Sequence, residues 1–142
     1  MKISVFICTY NRGHLIDGTL FSIIRGQTRK PDEIVIVNGG GENNCQPVLE
    51  KWKLCHGNFK IITTENINLS ASRNMGLPHC TGDIILQTDD DARPFSDWIE
   101  NMIKFHKIYS EAGVIGGDVI DADGRSYLSK IADAATFPHH HT

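Results

Sequence analysis

Three consecutive aspartates, Asp89, Asp90 and Asp91, follow directly on the apolar run "DIIL". The end of a buried strand is a poor place for uncompensated carboxylates, so either the strand ends in open water or a positive charge belongs there. If the backbone stays extended, Asp89 and Asp91 share one side and Asp90 points elsewhere. Two carboxylates so placed suit a hard divalent cation, Mg²⁺ or Mn²⁺. Such an ion takes one or two protein carboxylates and completes its shell with water and a substrate's phosphates. The plainer reading is a helix N-terminus, since "DDDARPFSDW" leads into a helix and acids are favoured there. One acid satisfies that role, and three favour the cation.

Other polar groups could serve the same chemistry. "NGGG" (Asn38–Gly41) could cradle a phosphate, because glycines let backbone N–H groups approach an anion. A flexible turn is the commoner use of such a run, and neither the G-x-G-x-x-G nor the P-loop pattern is present. Arg12 and Arg73 could fork onto phosphate oxygens, or be ordinary surface residues. Tyr10 could stack on a base or sugar, or simply close the core beneath its loop. His106, on the apolar face of a helix, reads as packed or half-exposed rather than catalytic. His139, His140 and His141 could chelate a metal, though their place beside the chain end argues against it. Cys8, Cys45, Cys55 and Cys80 show neither C-x-x-C nor zinc-site spacing and read as reduced thiols.

The elements that must position these groups alternate along the chain. Apolar runs predict strands at 3–8, 33–38, 59–64 and 83–88, and "AGVIGGDVI" predicts a fifth strand or extended segment. Helical spacing predicts helices at His14–Arg25 and Pro47–Leu54, and a short one N-capped by Ser70 and ending near His79. A last helix follows from Phe95, with Trp98, Met102, Phe105 and Ile108 on one face. Val5, Ile7, Ile34, Ile36, Ile61, Ile84 and Ile85 are the expected core. The fold class this implies is α/β, an open, mainly parallel twisted sheet with helices on both faces, in a single domain over 1–142. In such sheets ligands bind beyond the carboxyl ends of the strands, near a topological switch point. The polar clusters "TYNR", "NGGGENN", "TEN" and "TDDD" all fall at those ends.

Composition narrows the classes. The 142 residues are 40% hydrophobic and 22% charged, ordinary for a globular domain. A formal charge of −3 gives no electrostatic footprint for nucleic acid. No apolar run approaches the roughly 20 residues of a membrane span, and the start lacks a signal-peptide pattern. These features point to a cytoplasmic protein, free or peripheral to a membrane.

The segments "VFICTYNR", "QTRKPDEIVIV", and "NLSASRNMGL" followed by "TGDIILQTDDDARP" together resemble the inverting family 2 glycosyltransferases of the GT-A fold, which is Rossmann-like. The order and spacing run from Ile3 to about Gly117. The resemblance implies transfer of a sugar from a nucleotide-diphosphate sugar to an acceptor (glycan, lipid-linked or protein), assisted by a divalent metal. It makes "DDD" the DXD element: Asp91 would bind the metal that bridges the diphosphate, with Asp89 near the ribose and metal, and Asp90 between them would also belong to the nucleotide-sugar-binding set. Cys8, Thr9 and Tyr10, with Arg12, would line the nucleotide pocket, and Arg73 would face the base or phosphates.

Two departures qualify what is carried over. The family has an acid after its second strand, in a "VDDGS"-like segment that reads the base; here the segment is "VNGGG", so Asn38 would take that place, able both to accept and to donate. The family's general base is an acid well downstream of the DXD element. The late acids here, Asp118, Asp121 and Asp123, do not stand in its usual context. The expectation is therefore a donor-binding half lacking the acceptor-binding portion, poor in transfer by itself, with an apolar edge near Val114–Ile120 that invites self-association. The competing readings are a non-catalytic nucleotide-sugar-binding module and a sugar nucleotidyltransferase. Against the latter, no early "GxGTRxxP"-type loop is present.

Overall fold

The computed structural model describes residues 1–40, 45–65 and 68–121. Four parallel strands, β1 (Ile3–Thr9), β2 (Glu33–Asn38), β3 (Phe59–Thr63) and β4 (Ile84–Asp89), form one sheet in the order β3-β2-β1-β4. The helices between and after them are α1 (Gly13–Ile24), α2 (Gln46–Lys53), α3 (Leu69–Gly76, continued by a 3₁₀ turn at Leu77–His79) and α4 (Trp98–Ile108). The sheet is built outward from β1 in two directions, first to β2 and β3, then back to β4. The switch point therefore lies between the carboxyl ends of β1 and β4.

Burial on both faces explains the unbroken apolar runs of β1 and β2. On one face Val5, Ile7, Ile34, Ile36, Ile84 and Leu86 pack with Ile16, Leu20 and Ile23 of α1, Leu49 and Trp52 of α2, and Ile99 and Met102 of α4. On the other, Phe6, Val35 and Val37 form a smaller cluster beneath α3, where a β-carbon on Gly76 would lie 2.3 Å from Phe6 Cε2. Gly76 is what lets α3 approach so closely.

The amino end of the sheet is tied by a buried acid. Glu33 accepts from Ser4 Oγ, from Lys60 Nζ at 2.7 Å, and from the Thr81 backbone N–H and hydroxyl at 2.7 and 2.9 Å. Burial alone would push this carboxyl up; the hydrogen bonds outweigh it and bring it down to about 2. Buried Gln27 donates to the Phe95 carbonyl and accepts from the Ile99 N–H, joining the turn after α1 to the start of α4.

Four expectations need correction. Ile85 is exposed, because it lies on the face opposite Ile84 and Leu86, where the smaller core cluster does not reach β4. Phe105 and Ile108 are exposed too, since α4 meets the core through its first half, with Ile99 and Met102 buried and Trp98 and Ile103 packed partly against it. The cap of α3 is Asn68, not Ser70: its side chain accepts from the Ala71 N–H at 2.9 Å. The segment 113–119 forms no strand; a single bridge at Ile120 is its only ladder contact among the described residues. Val114, Val119 and Ile120 are exposed.

Candidate active site

A cleft of about 440 Å³ opens at the switch point, lined by Cys8, Thr9, Tyr10, Arg12, Gly39, Leu69, Ser72, Asp89, Asp90 and Asp91. Strand β1 delivers Cys8 and Thr9, and β4 delivers Asp89; their backbones are paired, Cys8 opposite Asp89. Past the end of β1 the chain turns sharply at Asn11, whose φ of 55° is a left-handed conformation that Asn tolerates. That turn throws Tyr10 and Arg12 toward the cleft. The Tyr10 ring stands over Gly39, where a β-carbon would lie 3.0 Å from its Cδ2.

The three aspartates occupy three different environments. Asp90 is 5% exposed and points inward: its carboxylate accepts from Thr9 Oγ1 at 2.8 Å and from Arg12 Nη1 at 3.1 Å. Asp89 and Asp91 are exposed on the cleft. The same Arg12 nitrogen lies 3.4 Å from Asp91 Oδ2. The loop that carries them is docked onto α1. Thr19 Oγ1 lies 2.7 Å from the Asp90 carbonyl and 2.8 Å from that of Ala92, and accepts from Arg93 Nη1 at 2.8 Å. The Arg93 guanidinium donates further to the carbonyls of Asp91, Ala92 and Leu15. Arg93 and Thr19 were not among the residues singled out from sequence. The adjacency of Arg93 to the triplet was the only local signal.

Two candidates lie outside the lining. Asn38 is fully buried; its carbonyl oxygen accepts from the Gly40 N–H at 3.2 Å and its amide donates to Gln46, so it shapes the turn that presents Gly39. Gly40, with φ of 76°, needs glycine's freedom there. Arg73 sits beside Ser72 on α3 with its guanidinium on Gln87 of β4, whose amide oxygen accepts from Nη2 at 2.9 Å and Nε at 2.7 Å. Burial pushes the Cys8 thiol up to about 11, against the opposing pull of Arg73, so it lines the cleft as a neutral group. Asp118 is exposed and Asp121 partly buried, and neither lines the cleft. Asp123, His139, His140 and His141 lie outside the described residues.

Among the described residues no cluster of three or more His, Cys, Asp or Glu side chains forms a ready metal cage. What the cleft offers is two exposed carboxylates, an all-oxygen donor set. That fits a hard cation which draws the rest of its shell from water and phosphate, and does not fit a structural zinc.

Fold and cleft together define an open α/β protein with a cleft at the switch point of its parallel sheet. The chain matches the family described as Glycosyl transferase family 2 over residues 4–132, and it belongs to that family. It is 34% identical over 122 residues to a glucosyl-dolichyl phosphate glucuronosyltransferase of Haloferax volcanii, covering 84% of this chain and 39% of that one. It is 40% identical over 105 residues to an uncharacterized glycosyltransferase, YwdF, of Bacillus subtilis, covering 73% and 38%. The chain thus spans about two-fifths of the length of these relatives. Among solved structures, S. aureus TarS 1–349 in complex with UDP-GlcNAc superposes with a TM-score of 0.69 at 24% identity, over 78% of this chain and 32% of that one. The mannosyltransferase PcManGT from Pyrobaculum calidifontis, in complex with GDP-Man and Mn²⁺, superposes with a TM-score of 0.67 at 27% identity, over 74% and 32%. The described helices include none long and apolar enough to cross a membrane.

Proposed function

We propose that this chain carries the donor site of a glycosyltransferase that moves a sugar from a nucleoside-diphosphate sugar to an acceptor hydroxyl, with inversion. The observation that carries this reading is the division of labour in the acid triplet. Asp90 is buried and fully engaged, which leaves Asp89 and Asp91 exposed on the cleft for a charged ligand. A bound divalent cation, Mg²⁺ or Mn²⁺, held by Asp91 and Asp89, would supply the charge that neutralises a departing diphosphate.

The chain's own residues bind and orient. The Tyr10 ring and the Gly39 backbone form a wall flat enough for a base or ribose, and Leu69 and Ser72 of α3 line the cleft as well. Arg12 places a guanidinium at the same mouth, where a diphosphate oxygen can accept from it. An inverting transfer also needs a base within hydrogen-bond reach of the acceptor hydroxyl. Asp89, Asp90 and Asp91 are the only carboxylates lining the cleft among the described residues, and all three serve the donor side.

A thermal-shift and calorimetric screen of nucleoside diphosphates and their sugars, with Mn²⁺ and with chelator, tests the donor site, because a ligand that binds only the folded state stabilises it. Metal-dependent stabilisation that is lost in Asp91→Ala is the expected result. Binding that is indifferent both to chelator and to Asp91→Ala overturns the metal role. A transfer assay over a broad acceptor panel then separates a transferase from a binding module.

A further inference from the structure

The relation of Arg12 to the two acids goes further. Resting on the donor-site reading above, we infer that Arg12 is the cleft's internal counter-ion. One of its nitrogens bridges Asp90 and Asp91. A divalent cation must displace it from Asp91 to bind, and the displaced guanidinium, still tethered to Asp90, is then aimed at the donor's diphosphate.

Three observations carry this. First, a single nitrogen, Nη1, serves both acids, at 3.1 Å from Asp90 Oδ1 and 3.4 Å from Asp91 Oδ2. The contact to Asp90 is the shorter and is made to a carboxylate whose side chain is only 7% exposed, whereas the Asp91 carboxylate is 52% exposed. The two halves of the bridge are therefore unequal. The buried half is costly to break, because it would leave a desolvated charge with only Thr9 as partner. The exposed half is screened by water and easily exchanged.

Second, Arg12 stands at the start of α1, in the N-cap position, with no side-chain cap bond of its own. Its backbone is fixed: the Arg12 carbonyl accepts from the Leu15 and Ile16 N–H groups. Its half-exposed side chain can swing without disturbing the helix.

Third, a cation at Asp91 and a guanidinium on the same carboxylate repel each other, so the two cannot share it at full strength. The planar guanidinium carries five donors, and leaving Asp91 frees some of them at the mouth of the cleft, where phosphate oxygens accept in a fork. Arg12 thus opposes the bare cation and favours the cation–diphosphate pair. The consequence is ordered affinity: the site discriminates against free metal and takes it up with the nucleotide.

The test uses Mn²⁺ alone and then a nucleoside diphosphate in saturating Mn²⁺. Free Mn²⁺ is followed by its electron paramagnetic resonance signal in wild type, Arg12→Gln and Arg12→Lys, with thermal melts to confirm that each is folded. Arg12→Gln removes the charge and keeps a donor for Asp90. It should bind Mn²⁺ alone about threefold to tenfold more tightly, the range expected for losing a partly exposed ion pair and its repulsion. The same variant should bind UDP or GDP in Mn²⁺ about tenfold more weakly, as charge-assisted bonds are lost. Arg12→Lys keeps the positive charge and should return Mn²⁺ affinity toward wild type without restoring forked phosphate binding. Mn²⁺ affinity that is unchanged or weaker in Arg12→Gln overturns the counter-ion role while leaving the donor site standing. Wild-type protein that takes up neither Mn²⁺ nor diphosphate overturns both. Melts that show Arg12→Gln unfolded shift the test to Arg12→Lys and to Asp91→Asn. In Asp91→Asn, Arg12 should still hold Asp90, and nucleoside diphosphate affinity in chelator should equal or exceed that of wild type; a fall there overturns the proposal.

Discussion

Gly18 leaves the space that Arg93 fills: a β-carbon on Gly18 would lie 2.4 Å from Arg93 Nη2 and 2.7 Å from its Cζ. The guanidinium rests on the bare backbone of α1 and reaches three carbonyls and the Thr19 hydroxyl from there. In Gly18→Ala the helix gains propensity, about 0.5–1 kcal/mol, while Arg93 must lift away. The expected outcome is a melting temperature close to wild type with nucleotide affinity in Mn²⁺ reduced about tenfold, since the Asp91 carbonyl loses its anchor. Calorimetry beside a thermal melt reads both. Unchanged affinity would show that the loop holds its shape without Arg93.

The acid triplet should split cleanly between stability and binding. Asp90→Asn replaces one of two buried accepting oxygens with a donor and removes the charge facing Arg12, and should cost about 2 kcal/mol. Asp91→Asn, at an exposed position, should stay within about 0.5 kcal/mol of wild type and yet lose Mn²⁺-dependent nucleotide binding. Urea melts on the two variants test the partition; equal destabilisation would contradict it.

Glu33 predicts an acid limit. Its carboxyl falls from the ordinary 4.5 to about 2 in the folded protein, so folding favours the ionised form. The stabilisation is complete above the unfolded value and is lost as pH falls through the folded one. The window therefore runs from about 4.5 down to about 2. A shift of this size corresponds to roughly 3 kcal/mol. Denaturant midpoints should drop across that range in wild type and run flatter in Glu33→Gln, which should also be the less stable of the two at pH 7. Parallel pH profiles would assign the acid sensitivity elsewhere.

Gly76→Ala should be the most damaging of the small changes. Its β-carbon would meet Phe6 Cε2 at 2.3 Å and Val37 Cγ2 at 2.6 Å, both side chains of the core. Overpacking of this kind costs about 1–3 kcal/mol. Helix α3 would shift off the sheet and carry Leu69 and Ser72 with it, so nucleotide affinity should fall together with the melting temperature. A stable variant with intact binding would mean that α3 can rise without moving the cleft wall.

What was legible in the sequence was whatever local pattern decides. The continuous runs "ISVFIC" and "EIVIV" announced strands buried on both faces, and β1 and β2 lie within a residue of where they were expected. "DIIL" looks the same on paper, but β4 is covered on one face only, so Ile85 lies open. Ser70 and Asn68 are both competent caps, and only the entry angle of the chain selects Asn68. Strand alternation separated Asp90 from Asp89 and Asp91 but did not say that it would turn inward. Its partners could not be read, because Thr9 lies 81 residues away. Gly18, Thr19 and Gln27 were silent for the same reason: each acts on a segment far along the chain.

That separation has a kinetic consequence. Strands β1, β2 and β3 are joined in order along the chain, but β4 reaches β1 only after a long loop closes, pairing Ile3 with Ile84. Such pairings are entropically late and slow. The contacts of Thr9 and Arg12 with Asp90, and of Thr19 with the loop beyond, exist only once β4 has docked. A partly folded chain can therefore hold most of its core and still have no cleft. Recovery of nucleotide binding during refolding should lag behind the burial of Trp52 in the α1–α2 layer, and the lag would time the closing of the sheet.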